Sequence, residues 1–149
     1  MVETVLLAVD AGDESRVDEL VSAAADVVSA EGTVVVVHAF DRGNYADLAA
    51  QMGMEPDVES VPDDLARRHT VASTVADRLS ERGVDVSIRG TVGEGGEEIV
   101  RASEEIGADM IVVGGRRRSP SGKALFGSTA QRVLLEADAP VVFVKAEDE

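Results

Sequence analysis

One stretch of the chain without acidic residues carries the side chains best suited to binding an anion. From Met110 to Leu135 there are 26 residues with no Asp or Glu, although acids make up about a fifth of the sequence. This basic window has a formal charge of +5, while the other 123 residues together carry −20. Such a local reversal of charge favours an anion-binding site. The alternative is a surface patch that pairs with acids elsewhere in the fold. Its basic residues are Arg116, Arg117, Arg118, Lys123 and Arg132.

The basic window also has the order of elements that phosphate binding requires. Residues 111–113 are typical of a strand that runs into Gly114, and a helix is predicted to begin near Gly127. Free backbone N–H groups and the positive end of the dipole make such a helix start suitable for phosphate. Glycine at positions 114 and 127 would let the main chain come close to the phosphate oxygens. The hydroxyls of Ser128 and Thr129 either cap the helix or contact the ligand.

Composition excludes several other kinds of site. The chain has no cysteine, and its two histidines, His38 and His69, fall in different segments, so a thiolate or zinc-type site is not expected. No apolar run is long enough to cross a membrane and the first residues are not basic, which predicts a cytoplasmic protein. The net charge of −15 argues against nucleic-acid or membrane surfaces. The small number of lysines and the many acidic residues are typical of halophilic proteins. An ordinary acidic protein is the alternative.

The apolar pattern predicts alternating strands and helices. Helical patterns with one apolar stripe cover residues 15–30, 64–82 and 97–106, and the glycines Gly32, Gly83 and Gly107 are predicted to end them in the left-handed conformation. The segment from residue 41 to 62 is a long connection that is either mobile or holds a short helix. The predicted strands, rich in Val and Ile, are Thr4–Val9, Thr33–Ala39, Val84–Arg89, Asp109–Val113 and Val141–Lys145.

This alternation predicts an α/β fold. Short connections between consecutive elements imply parallel strands with right-handed crossovers, in an open doubly wound sheet with helices on both faces. No domain boundary is indicated, so residues 1–149 are expected to form a single domain.

The motifs resemble those of the universal stress protein family. That family's nucleotide loop has the pattern G-x2-G-x9-G-[ST], and here Gly114 is followed at the expected distance by Gly127 and Ser128. The segments 5–10, 36–39 and 139–144 also resemble the family, so the similarity covers nearly the whole chain. The resemblance implies five parallel strands in the order 3-2-1-4-5, with the ligand where the strand order reverses, which is also where open sheets of this type bind ligands.

The resemblance further implies the residues that surround the nucleotide. By position in the motifs, Ala8, Val9 and Asp10 hold the adenosine moiety, with Ala39 and Val113 as apolar neighbours of the base. The expected ligand is ATP, with Mg²⁺ between its phosphates. An alternative role for Asp10 is structural, because an acid at a helix start interacts favourably with the helix dipole.

One position departs from the family pattern. The second glycine of the loop motif falls at residue 117, which is arginine in this chain. Arg117 either occupies the space of a phosphate or replaces a backbone contact with a charged one.

These features favour a non-catalytic, ATP-binding sensor of the stress response. The chain lacks the Walker lysine motif, the His-x-Gly-His motif of nucleotidyl transferases and the pyrophosphate loop Ser-Gly-Gly-x-Asp-Ser. The nucleotide loop offers no general base, so an enzyme is not expected. The last strand, Val141–Lys145, is expected at the sheet edge, where apolar strands seek pairing, and the family resemblance implies a homodimer contact there. The alternative is a dimeric interaction protein whose crevice holds another anion or none.

Overall fold

Five parallel strands form one sheet in the order β3-β2-β1-β4-β5, which confirms the predicted fold class and strand order. The computed structural model describes residues 2–116 and 127–146. The strands are β1 (Thr4–Ala8), β2 (Thr33–Phe40), β3 (Asp85–Val92), β4 (Met110–Arg116) and β5 (Val141–Ala146). The helices are α1 (Val17–Val27), α2 (Arg42–Gln51), α3 (Val61–Arg68), α4 (Thr70–Glu81), α5 (Gly95–Ile106) and α6 (Ser128–Glu136), and a 3-10 helix spans Ala11–Arg16.

Strand β1 lies at the centre of the sheet and its side chains alternate between two cores. Val5 and Leu7 face α1 and α4, whereas Leu6 and Ala8 face α5 and α6. Both faces are covered, so β1 is apolar and buried from Val5 to Ala8, as expected of a parallel strand inside a sheet. Among the described helices, none is long and apolar enough to cross a membrane.

One helical prediction differs from the structure, and one alternative that the sequence left open is decided by it. The single helix predicted for residues 64–82 is two helices, because His69 has an extended backbone (φ −68°, ψ 127°) that ends α3 and begins α4. The long connection after β2 contains α2, which begins where Asp41 accepts a hydrogen bond from the backbone N–H of Asn44 at 2.9 Å. The short-helix alternative for that segment is therefore the correct one.

The glycine predictions are right at two of three positions. Gly83 and Gly107 have φ of 82° and 65°, in the left-handed region that favours glycine. Gly32 does not have a positive φ. Glycine is needed at position 32 for lack of space, because an added Cβ would lie 2.7 Å from the carbonyl oxygen of Glu3.

Strands β3 and β4 extend further than predicted, to Val92 and Arg116. In β3 the extra length holds Gly90, against which α3 packs. A Cβ on Gly90 would lie 2.0 Å from the carbonyl oxygen of Pro62, and the Gly90 N–H donates to Oδ1 of Asp63 at 2.8 Å. The start of α3 is therefore fixed to β3 by backbone contact.

We expect Gly90→Ala to lower the free energy of unfolding by about 3 kcal/mol, because the new methyl group overlaps a main-chain atom that cannot rotate away. Urea denaturation measures this change. The control is Gly43→Ala in α2, where the nearest atom to the new Cβ is 3.5 Å away, and which should leave stability unchanged or raise it by up to about 1 kcal/mol. Equal stability of the two variants would contradict the close packing of α3 on β3.

Candidate nucleotide-binding site

A cavity opens at the carboxyl ends of β1 and β4, where the strand order reverses. The structure brings seven of the ten predicted site residues together around it: Ala8, Val9, Asp10, Ala39, Val113, Gly114 and Thr129. Gly127 and Ser128 lie exposed at the adjacent start of α6, outside the lining. Arg117 lies outside the described residues, as do Arg118 and Lys123. Four further lining residues were not predicted: Asp13, Gly95, Ile99 and Ala130.

The enclosed part of this cavity is small and mostly apolar. Its volume is about 60 Å³, and Ile99 and Ala130 close it from the side of α5 and α6. Cavities that bury drug-sized ligands have volumes of roughly 300–1,000 Å³. The cavity therefore has room for only part of a nucleotide, and the remainder of such a ligand would extend along the sheet edge.

Asp10 begins the 3-10 helix that follows β1. Its Oδ1 accepts a hydrogen bond from the Gly12 N–H at 2.8 Å, and Oδ2 of Asp13 accepts one from the Asp10 N–H at 2.9 Å. These two bonds form a capping box, so the structural role proposed for Asp10 is present. The Asp10 side chain is nevertheless exposed at the cavity, so the structural role leaves it accessible to a ligand.

Asp13 and Arg16 form a buried ion pair beside the cavity that the sequence analysis missed. The two side chains are 8% and 10% exposed, and Nη1 of Arg16 also donates to the carbonyl oxygen of Gly12 at 3.0 Å. Burial, and next the charge of Asp10, raise the pKa of Asp13 above its usual value, while Arg16 opposes this. No sequence signal marked the pair, because an acid and a base three residues apart are common on helix surfaces.

This ion pair explains why residue 114 is glycine. A Cβ at Gly114 would lie 2.8 Å from Cδ of Arg16 and 3.1 Å from Oδ1 of Asp13. Gly114 lies within β4 and does not begin a loop. Its small size therefore serves the packing of the 3-10 helix on the strand, a reason different from the predicted approach to phosphate.

The amino ends of α5 and α6 are capped differently. Glu94 caps α5 by accepting hydrogen bonds from the N–H groups of Glu97 (2.7 Å) and Gly96 (3.2 Å), and these bonds lower its pKa. The N-cap of α6 is Gly127, which has no side chain, and Ser128 is already the first helical residue. The predicted hydroxyl cap is therefore absent from α6 as the structure describes it, and the first N–H groups of this helix have no side-chain acceptor there.

Arg132 pairs with acids. Its Nε lies 2.6 Å from a carboxylate oxygen of Glu136, and its terminal nitrogens lie 3.6 and 4.0 Å from those of Glu94 and Glu97. For this member of the basic window, the alternative of pairing with acids elsewhere is correct. In the described ranges 2–116 and 127–146, no group of three or more His, Asp or Glu side chains could hold a metal ion.

The two histidines meet behind the cavity. Their rings stack with centroids 4.0 Å apart, and Nδ1 of His38 donates to the carbonyl oxygen of Val9 at 2.9 Å. Nδ1 of His69 accepts a hydrogen bond from the Ala72 N–H at 3.3 Å and so caps α4. Burial, and next the neighbouring His38, lower the pKa of His69 to about 4. This contact could not be predicted, since the two residues are far apart along the chain.

The fold and the position of the cavity define an open doubly wound α/β protein with a ligand crevice at its topological switch point. The sequence pattern of the universal stress protein family matches residues 1–145. The chain belongs to that family.

Individual relatives agree with this assignment. A universal stress protein of Mycolicibacterium smegmatis is 46% identical over 68 residues, which are 45% of this chain and 52% of that protein. This chain thus matches about half the length of that relative. Universal stress protein MJ0577 of Methanocaldococcus jannaschii is 25% identical over 126 residues, covering 77% of this chain and 78% of the relative.

Solved structures share the fold over almost the whole chain. A universal stress protein of Archaeoglobus fulgidus is 26% identical with a TM-score of 0.67, covering 97% of this chain and 100% of that one. The A. fulgidus universal stress protein in complex with dAMP has 24% identity, a TM-score of 0.67 and the same coverage. A universal stress protein in complex with cAMP has 23% identity and a TM-score of 0.64, covering 97% of each chain.

The lowered pKa of His69 makes stability depend on pH. The folded state keeps the ring neutral down to about pH 4, whereas the unfolded chain takes up a proton near pH 6.5. The contribution of neutral His69 is therefore fully present above pH 6.5 and is lost as the pH falls toward 4. Because the half-buried ring is partly screened by solvent, we expect a loss of about 2 kcal/mol.

His69→Asn tests this expectation, because asparagine keeps a side-chain acceptor for the α4 cap but does not titrate. Urea denaturation from pH 7 to pH 4 should show a steeper fall in the free energy of unfolding for the wild type than for the variant. Parallel curves for the two proteins would contradict a neutral, half-buried His69.

Proposed function

We propose that this protein binds a nucleotide, with ATP as the expected ligand, and acts as a non-catalytic regulatory protein of the stress response in the cytoplasm. The observation that carries the proposal is the amino end of α6. Its N-cap is a glycine, its first N–H groups have no side-chain acceptor among the described residues, and it adjoins the cavity at the switch point. Such a helix end is suited to a phosphate group.

The residues around the cavity fit the parts of a nucleotide. The small apolar side chains of Ala8, Ala39 and Val113 leave space for the edge of a base, and the exposed carboxylate of Asp10 suits a ribose hydroxyl. The phosphates would lie against Gly127, Ser128 and Thr129. Neighbouring carboxylates make the β1 side of the cavity unfavourable for phosphate, so the charges favour this orientation over the reverse.

Mg²⁺ would be held by the phosphates of the nucleotide. Bound there, it would neutralise part of the phosphate charge. The role of the protein would be to position the phosphate chain by backbone N–H groups and hydroxyls. Arg117 is proposed to add a charged contact to the phosphates in place of the missing motif glycine.

Two observations on related proteins support nucleotide binding in general terms. The solved structures with dAMP and with cAMP have the fold of this chain, and the chain belongs to the same family. They support a nucleotide as the class of ligand; the choice of ATP rests on the loop motif.

Titration calorimetry with Mg-ATP on wild type and two variants tests this proposal. If Arg117 contacts the phosphates, wild type binds ATP and Arg117→Gly changes affinity by roughly 1 kcal/mol in either direction, because backbone freedom is gained and a charge is lost. Gly127→Val is the control, since a branched side chain at the N-cap crowds the phosphate in either background.

The contrary result is equally clear. Binding by Arg117→Gly together with no heat from the wild type would show that Arg117 blocks the site. Nucleotide analysis of denatured, freshly purified wild type provides a second measurement, and protein free of nucleotide would agree with that contrary result.

A homodimer is the second part of the proposal, and it is also the basis of the alternative function as an interaction protein. Strand β5 is at the sheet edge and pairs only with β4 within the part of the chain that the structure describes. Its residues 141–144 are half-buried and apolar in a single chain. An edge strand of this kind favours pairing with a second copy.

Light scattering in molar KCl should give a mass twice the 15.6 kDa of one chain across the micromolar range. High salt is chosen because screening reduces the mutual repulsion of two chains with a net charge of −15 each. A mass of one chain at every concentration would refute pairing through β5.

A further inference from the structure

A second and larger cavity lies on the opposite face of the sheet from the crevice. Its volume is about 450 Å³, within the range of small-molecule sites. Phe40, at the end of β2, forms its floor, and the preceding residue Ala39 points to the other face and lines the crevice. The walls come from α2, α3 and the start of α4, and include Leu48, Met52, Leu65, Arg68 and His69.

The wall formed by α2 is apolar although it faces solvent. This helix buries Tyr45 and Ala49 on one side, yet Leu48 and Met52 remain 37% and 43% exposed. Met52 is unbranched and adapts readily to the shape of a ligand. Opposite them, Leu65 and Phe40 are each 4% exposed, so the apolar surface open to a ligand is mainly that of Leu48 and Met52, and Leu65 and Phe40 form the packed base behind it.

Arg68 provides one positive charge at the edge of this cavity. It makes no ion pair or hydrogen bond with the residues that the structure describes, whereas its neighbour Arg67 pairs with Asp64 at 2.7 Å. In a chain with 29 acidic residues, an arginine without an acid beside apolar walls is available to an external carboxylate. A guanidinium can hold a carboxylate through two parallel hydrogen bonds.

His69 adds a flat aromatic surface to the cavity. Its ring is fixed by the stack on His38 and by the cap of α4, and its low pKa keeps it uncharged at neutral pH. The charged groups near it are Arg68 on α3 and, more distantly, Asp10 after β1. The cavity therefore combines apolar walls with a single cation at its edge.

We propose that this cavity is a second binding site, for a small amphipathic carboxylate whose apolar body lies between α2 and Phe40 and whose carboxylate binds Arg68. The site is independent of the nucleotide crevice, and it does not depend on the proposed function. Its inner wall, His69, stacks on His38, which donates to the carbonyl of the crevice residue Val9.

Octanoate is the test ligand, because it combines an eight-carbon chain with one carboxylate. Titration of the full chain, followed by backbone amide NMR, should show saturable shifts at Phe40, Leu65 and His69. Octan-1-ol and octylamine are the probes without the negative charge, and both should bind more weakly. No saturable shift with octanoate up to millimolar concentration would overturn the proposal.

Two neighbouring arginines on one helix provide matched variants. Arg68→Gln should weaken octanoate binding about tenfold, because one charge-assisted contact is lost. Arg67→Gln removes the same charge one residue away and should leave the affinity unchanged. Both side chains are exposed, so both variants are expected to fold. Equal affinity of the two variants, or equal binding of octanoate and octan-1-ol by wild type, would refute a carboxylate contact at Arg68.

Discussion

The pairing of β1 with β2 on one side and β4 on the other is the constraint on which the rest of the structure depends. In this register Leu7 lies beside both Val36 and Val112, so β1 is enclosed by neighbours in every direction. Since the chain leaves the ends of β1 and β4 toward opposite faces, a crevice between them cannot be filled by a connecting helix. The crevice is thus a consequence of strand order, and side chains only determine its shape and chemistry.

Small residues determine how closely the layers approach at the edge that holds the crevice. Gly114 makes room for the buried pair of Asp13 and Arg16, and Gly96 for the stem of Arg132, whose Cβ would lie 2.4 Å from an added Cβ. A core made mainly of Val and Ala allows such close approach, because its side chains are short. The same closeness limits the enclosed volume of the crevice, which explains why it can receive only part of a ligand.

The fold could be predicted from the sequence because its signals are repeated. Each strand has its own short segment rich in Val, Ile or Leu, and most of the helices between the strands show one apolar stripe, so an error at one boundary does not alter the topology. The break at His69 could not be predicted, since residues 64–82 keep a helical pattern across it and histidine is a rare N-cap. The sequence also did not decide whether residues 41–62 hold a helix, because the apolar residues of α2 form no strong stripe.

For the candidate site, the sequence predicted where the site residues lie on strands and helices better than it predicted which side chains contact one another. The apolar runs and the family resemblance together indicated the strand ends and the helix start, and seven residues named from them surround one cavity. Side-chain partners were harder to predict. The contacts of Arg132 with Glu94 and Glu97 depend on how α6 packs on α5, and the pairing of Asp13 with Arg16 depends on which side of the 3-10 helix is buried. The meeting of His38 with His69 depends on the crossing of two elements, which local sequence does not determine.

That stack of two rings has a practical consequence for spectroscopy. The chain contains only two histidines, and both are in the same contact between the crevice and the opposite face of the sheet. Every imidazole signal of the protein therefore comes from one place in the interior. One ring is hydrogen-bonded to a crevice residue and the other lines the second cavity, so a spectrum with very few lines would report on both sites.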